Sequence, residues 1–562
     1  MKRKVIWMLP LAALLAAGTV LAQSTPASHD ATLARQLEDA RQQLADQAAL
    51  LNQMRAELTR QAAAINELRT HQAAIAPAGL SGTAEDAPRL QNAVLAMRGG
   101  MPVGHPMAVA QRTAPEAKPA ADKPAELFLR IGNARLTPGG FIDFTTIYRS
   151  TNVGSLLATS FQSIPYNNTV QGGLSEVRFT AQGTRLSLRL DETVGKARVY
   201  GYAEADFNGY LAGNGEVSTN SNSLRMRAFY VNLAQGKWEL LGGQQWSLLT
   251  PTRKALSPQI ADMFIPGFID SGYQAGLVYS RQPQVRLVYH PTQQVSAALS
   301  LENPEQYAGS AVTFPALFPT TEIDIGSSTG SGGANATPNL HPDVIARLTY
   351  DHAVNGLPWH GSIAGMLTST RIIAPVSVTK AGTVKDSREG GAITGNMALD
   401  LTKNFRFVST GYWSDGGGRY IGGMGPQAVV LQNGTTASPF SVAMIHSGSG
   451  IAGFEWTVRK TALTGLGSAA YYQRRYGVDP SVTSKTTYVG YGFPGSANTN
   501  NRVIREYSLA TTTTLWKNVN YGALLFITQS SYVWRAPWYV APGSPKDAHT
   551  FMQFANLRYV IP

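Results

Sequence analysis

The chain contains no cysteine, which excludes a disulfide scaffold and any thiolate metal or redox site. It also lacks a long apolar run beyond residue 22, and nothing later offers the ~18 consecutive apolar residues of a membrane-spanning helix. Acidic residues are scarce relative to basic ones, 35 against 47, which leaves a formal charge of +12 on 562 residues. No basic run or aromatic platform accompanies that excess, so no nucleic-acid partner is expected. The nine histidines are scattered; His290, His341, His352, His360, His446 and His549 show no metal-ligand spacing. The glycine-rich stretch 326–339 lacks the Gly-Lys-Ser/Thr of a phosphate loop, and no nucleophile elbow is present. Enzymatic activity, a metal and any other cofactor are therefore not expected.

What is present divides the chain into four regions. Residues 1–22 read as a secretory signal: Lys2, Arg3 and Lys4 precede the apolar stretch Val5 to Val20, and Val20-Leu21-Ala22 ends in a small residue. Residues 30–70 carry a heptad repeat, with Leu37, Leu44, Leu51, Leu58 and Ile65 on one seam position. Leu33, Ala40, Gln47, Met54, Gln61 and Leu68 occupy the other. This predicts an α-helical coiled coil, and the polar layers at Gln47 and Gln61 select register and strand number at some cost in stability. Residues 71–124, rich in Ala, Pro, Gly and Met, read as a linker without periodicity.

Residues 125–562 alternate. In Arg185-Leu186-Ser187-Leu188-Arg189-Leu190 the leucines take one face and polar residues the other. The same period of two recurs from Arg198 to Asp206, around Arg286, around Arg347 and from Tyr521 to Ile527, which predicts strands with two unlike faces. The parity flips between Phe179 and Leu186, and Gly183 is the natural place for a bulge. Short links at 191–195, 234–237, 402–404 and 516–518 alternate with long stretches at 151–173, 207–222, 303–340, 415–447 and 477–501. Short turns at one end and long loops at the other are the pattern of a transmembrane β-barrel, here of about sixteen antiparallel strands. Closure removes the sheet edges, which lipid could not solvate. Tyr148, Tyr230, Trp238, Trp246, Tyr412, Trp413, Tyr471, Tyr472, Trp534 and Trp538 fall near strand ends, where interfacial girdles form.

An arginine facing lipid near the bilayer midplane costs roughly 2–4 kcal/mol. Arg185, Arg189, Arg198, Arg225, Arg227, Arg286 and Arg347 are therefore assigned to the lumen, where they would concentrate anions. The segment 247–272 is too rich in Phe, Ile and Met for a loop in water and is expected to fold inward. It would bring Arg253, Lys254, Asp262 and Asp270 to the pore. Glu204 and Asp206 would oppose the arginines and set a field across it.

The chain resembles the DcaP-like trimeric outer-membrane porins. The residues that carry the resemblance are Gly201-Tyr202-Ala203-Glu204-Ala205-Asp206-Phe207, Gly242-Gly243-Gln244-Gln245-Trp246-Ser247 and Arg281-Gln282-Pro283-Gln284-Val285-Arg286. The order of signal, heptads, linker and barrel is similar as well. The resemblance implies a homotrimer with three separate pores, joined through Leu37, Leu44, Leu51, Leu58 and Ile65. It also implies a constriction at the third loop and passive uptake of small anions such as dicarboxylates. The expected setting is the bacterial outer membrane and its lipids, with the coiled coil in the periplasm. The chain departs from the usual terminal aromatic by ending Tyr559-Val560-Ile561-Pro562. The competing reading is a barrel without a transport role, acting as an envelope tether or adhesin.

Overall fold

A computed structural model describes residues 128–562, apart from 210–221, 257, 260–262, 306, 310, 319–338, 378–379, 424, 435–439 and the side chains of 374–384. The signal reading, the heptads, the linker and Asp262 lie outside the described residues.

The strands of the wall run in sequence order: β1 (Ala134–Arg149), β2 (Glu176–Thr180 continued by Arg185–Val194), β3 (Ala197–Asp206), β4 (Arg225–Gln235), β5 (Trp238–Trp246) and β6 (Arg281–Tyr289). They continue as β7 (Val295–Glu302), β8 (Asp343–Val354), β9 (Leu357–Ser377), β10 (Lys380–Asp400) and β11 (Phe405–Asp415). The last five are β12 (His446–Val458), β13 (Thr461–Tyr472), β14 (Asn501–Asn518), β15 (Gly522–Pro537) and β16 (Ala548–Val560). Each pairs antiparallel with its neighbours in sequence, and β16 returns to β1 in the register Phe141↔Val560 to Arg149↔Met552. The result is a closed sixteen-stranded antiparallel barrel. Asp143 and Arg558 face each other directly across the closing seam, with guanidinium–carboxylate contacts of 2.6 and 2.7 Å.

Alternation decides which side of the wall each residue occupies. Leu186, Leu188, Phe229, Val231, Leu287, Leu348 and Leu557 project outward and remain exposed. Their sequence neighbours Arg185, Asn232, Arg286, Arg347 and Arg558 turn inward and are buried. A closed barrel with an apolar outside and a polar inside is stable only when lipid surrounds it. The parity flip is real: the ladder to β1 stops at Thr180 and resumes at Arg185. Gly183 sits where a Cβ would come within 2.5 Å of the Asp143 carboxylate. On β1, Gly140 has φ +129°, and a Cβ there would lie 2.1 Å from the Arg185 carbonyl oxygen, so only glycine permits this approach.

The two ends differ. One has tight turns, such as Asn355-Gly356 between β8 and β9, both at positive φ as a two-residue hairpin favours. The other has long connections, two of which carry small hairpins, Ala428–Gln432 with Phe440–Met444 and Arg475–Val478 with Tyr488–Tyr491. The long-loop end is the extracellular one by the general rule for such barrels. Strands β9 and β10, 21 residues each, extend about 70 Å at the usual rise and so stand well clear of the apolar band.

Candidate functional site

The lumen is shaped by the connection between β5 and β6, residues 247–280. Successive parts of this loop are tied to successive strands of the wall. At its start, the Leu248 amide donates to Glu302 Oε1 on β7 (2.7 Å), and Arg347 on β8 donates to the Leu248 carbonyl (3.0 Å), the Thr250 carbonyl and Thr252 Oγ1 (2.9 Å). Asn396 on β10 donates to the Thr252 carbonyl at 2.7 Å, and His360 on β9 contacts Thr252 Oγ1 at 2.9 Å. Arg253 then reaches Glu455 on β12 (3.1 Å) and caps the Met263 and Ile265 carbonyls, the latter at 2.9 Å. Further on, the Ile269 and Asp270 amides share Gln529 Oε1 of β15 (2.6 and 2.9 Å), and the Ala275 amide donates to Glu506 on β14 (2.6 Å). Chain polar groups that would otherwise be orphaned inside the barrel are thus satisfied by the wall.

The apolar residues of the loop have an equally specific use. Phe264, Ile265, Phe268, Tyr273 and Leu277 form one cluster with Trp246 and Tyr279, and the wall supplies Ala398, Val408, Ile451, Leu466 and Ala510. These five wall residues come from β10 to β14, where polar inward residues would lose their water against the loop's apolar side without gaining a partner. Asp270 is fully buried, and burial raises its carboxyl pKa above the ordinary value although the Arg149 charge opposes the shift. Its Oδ1 accepts from the Thr159 and Gly272 amides at 3.0 and 2.8 Å.

Against the Trp246 side of the apolar cluster, β2 to β4 carry a group of charges, of which Arg185, Glu204, Asp206 and Arg227 are buried and Arg225 is half-buried. Arg225 binds Asp206 through two nitrogens at 3.0 and 2.8 Å. Arg227 bridges Glu204 (2.6 Å) and Asp206 (2.7 Å), and Arg185 stands 3.7 Å from Glu204. Arg227 is the extra residue of a bulge: Glu204 pairs with Ala228, and the next pair is Ala205 with Met226. The bulge lets Arg225, Arg227 and Ala228 all leave the lipid side, while Met226 and Phe229 stay exposed. Arg281 lies over the Trp246 ring at 5.3 Å, and Arg227 over the same ring at 5.9 Å. The arginines here outnumber the carboxylates. Tyr202 donates to Glu204 at 2.9 Å and packs with Tyr200 and Tyr230, a polar aromatic shelf below the cluster.

The remaining residues singled out in the sequence fall elsewhere. Arg189 pairs with Asp191 at 2.7 Å in a half-exposed position, and Arg198 is exposed near the tight-turn end. Arg286 is buried and donates to Gln284 Oε1 (2.9 Å) and the Trp246 carbonyl (2.6 Å), so it braces the root of the loop. Arg347 and Arg253 are likewise spent on loop carbonyls, while Lys254 is exposed. Sequence reasoning missed Arg281, Glu302, Glu455, Glu506 and Gln529. The signal for Glu302 and Glu455 was available, since each is an acid beside apolar residues in an alternating strand, Leu301 for the first and Phe454 and Trp456 for the second.

No protein-family profile matches the chain, and no curated protein matches it. Solved structures do. The outer membrane channel DcaP of Acinetobacter baumannii aligns with a TM-score of 0.53 at 15% identity, covering 76% of this chain and 98% of that one. An anion-selective porin from Comamonas acidovorans gives 0.42 at 11% identity, with 76% and 100% covered. OmpF of Salmonella typhi, in complex with daunomycin, gives 0.39 at 10%, with 77% and 100% covered. At the level of the fold, then, the chain is DcaP-like.

Proposed function

We propose that the protein is an outer-membrane porin that passes small hydrophilic solutes by diffusion and prefers anions, dicarboxylates among them. The observation that carries this reading is the Arg185, Arg225, Arg227 and Arg281 group set against Glu204 and Asp206, facing a loop pinned inside the barrel. An excess of positive charge beside the lumen lowers the entry barrier for anions. A dicarboxylate, carrying two negative charges, would be drawn by this field more strongly than a monovalent anion and still be held loosely enough to leave. No catalytic role is assigned to any of these side chains.

The heptads at Leu37, Leu44, Leu51, Leu58 and Ile65 support assembly as a homotrimer, with the helices on the periplasmic side. The outward apolar belt supports a lipid-embedded setting. Ion current in a planar bilayer under a salt gradient tests the reading. Correctly folded protein that carries no current would instead favour the tether or adhesin role.

A further inference from the structure

The outer wall carries a feature that permeation does not use. At the extracellular ends of β13 to β15, Arg474, Arg502 and Arg505 stand exposed around two tryptophans. The Arg505 guanidinium lies 5.1 Å from the centre of the Trp534 ring, its direct cross-strand partner. Arg474 and Arg502 lie over the Trp538 ring at 5.4 and 5.9 Å. Trp538 is fixed by a 2.9 Å bond from its indole nitrogen to the Tyr472 carbonyl and by the edge of Tyr471. A bulge at Arg502, between the pairs Asn501↔Pro537 and Val503↔Ala536, turns that residue out.

Among the described residues, none of the three arginines has a carboxylate within ion-pair distance. The acid on the adjoining segment, Asp547, faces His549 at 3.8 Å instead. The next outward residues toward the membrane are Tyr507 and Tyr532, a directly opposed and exposed pair. Tyrosine and tryptophan at this level mark the edge of the hydrocarbon. The three charges therefore stand where lipid headgroups begin, on the outside of the barrel. Arginine is the residue suited to phosphate, because its planar fork can donate twice and it is weakly hydrated. Stacking on indole holds the guanidiniums in place and leaves their edges free to donate.

We propose that Arg474, Arg502 and Arg505, held by Trp534 and Trp538, form a binding site for the phosphorylated headgroup of an outer-leaflet lipid. The proposal depends on the outer-membrane setting but not on anion selectivity.

The test is native mass spectrometry of the full chain in detergent, offered a diphosphorylated lipid A, the same lipid without phosphates, and inorganic phosphate as competitor. Intact folding is checked first by heat-modifiable gel mobility and by insertion into vesicles; failure there would count against the membrane reading itself. The expected result is retention of the phosphorylated lipid alone, unaffected by millimolar inorganic phosphate. Retention should weaken about a hundredfold in R474Q/R502Q/R505Q. Should the triple variant fold poorly, R505Q alone is expected to weaken retention severalfold. Equal retention of both lipids, displacement by inorganic phosphate, or unchanged retention by a folded variant would each overturn the proposal.

Discussion

Arg227 donates to Asp206 across the bulge between β3 and β4, at 2.7 Å, while its Nε holds Glu204 at 2.6 Å. The pairing shares two carboxylates among several guanidiniums, so removing either kind of charge should have opposite effects on permeation. In water, one unit charge about 6 Å from a passing ion contributes ~0.7 kcal/mol, or roughly threefold in relative permeability. R225Q/R227Q should therefore lower the anion-to-cation permeability ratio by about tenfold. E204Q/D206N should raise it. Reversal potentials in a salt gradient read both, and shifts of the same sign in the two variants would place these residues outside the permeation path.

Arg253 is the latch of the inward loop. It binds Glu455 on the wall and the Met263 and Ile265 carbonyls, and it is almost fully buried. Breaking a buried pair by removing one partner costs about 3–5 kcal/mol, since the other charge is left uncompensated. E455Q should loosen the loop while leaving the barrel closed. Single-channel recordings should show larger and noisier openings, with little change in heat-modifiable mobility. Recordings as quiet as those of the parent protein would mean that the loop is held without the Arg253–Glu455 pair.

Much of this was legible in the sequence, for a simple reason. A wall between lipid and water writes its two faces into every second residue, as in Arg185 to Leu190, and the break at Gly183 was visible as a flip of parity. The bulge at Arg227 was less legible. There Arg225 and Arg227 share a parity, and only the pairing Glu204↔Ala228 shows that Arg227 is an extra residue. The division of labour among the arginines could not be read at all. Arg185, Arg286 and Arg347 all sit on inward faces, yet Arg286 and Arg347 bind loop-root and loop carbonyls, a fate set by where a distant segment lies. The length of β9 and β10 was hidden too, because the stretch beyond the membrane has no lipid to impose alternation.

Burial raises the Asp270 carboxyl pKa, so the folded protein holds this proton more tightly than the unfolded chain does. Stability from this group is complete below the unfolded value of about 4 and is lost as pH rises through the folded one. D270N keeps the acceptor oxygen that Thr159 and Gly272 use and removes the titration. As pH rises from about 4, the wild type should lose stability relative to D270N. Thermal unfolding in detergent followed by tryptophan fluorescence measures the difference, and parallel pH profiles would show that Asp270 does not contribute.

Deleting residues 30–70 should weaken association without unfolding the barrel, because the seam from Leu37 to Ile65 lies in a separate region of the sequence. Crosslinking in detergent should give trimers from the full chain and mostly monomers or dimers from the deletion. A full chain that stays monomeric under the same conditions would rule out the trimer.

The central claim is that the lumen conducts and favours anions. Its most direct test is the reversal potential of single channels formed by the full chain in a planar bilayer under a salt gradient. The account predicts stepwise openings in groups of three and a reversal potential displaced toward the anion equilibrium value. A displacement toward the cation value, or no current from correctly folded protein, would contradict it.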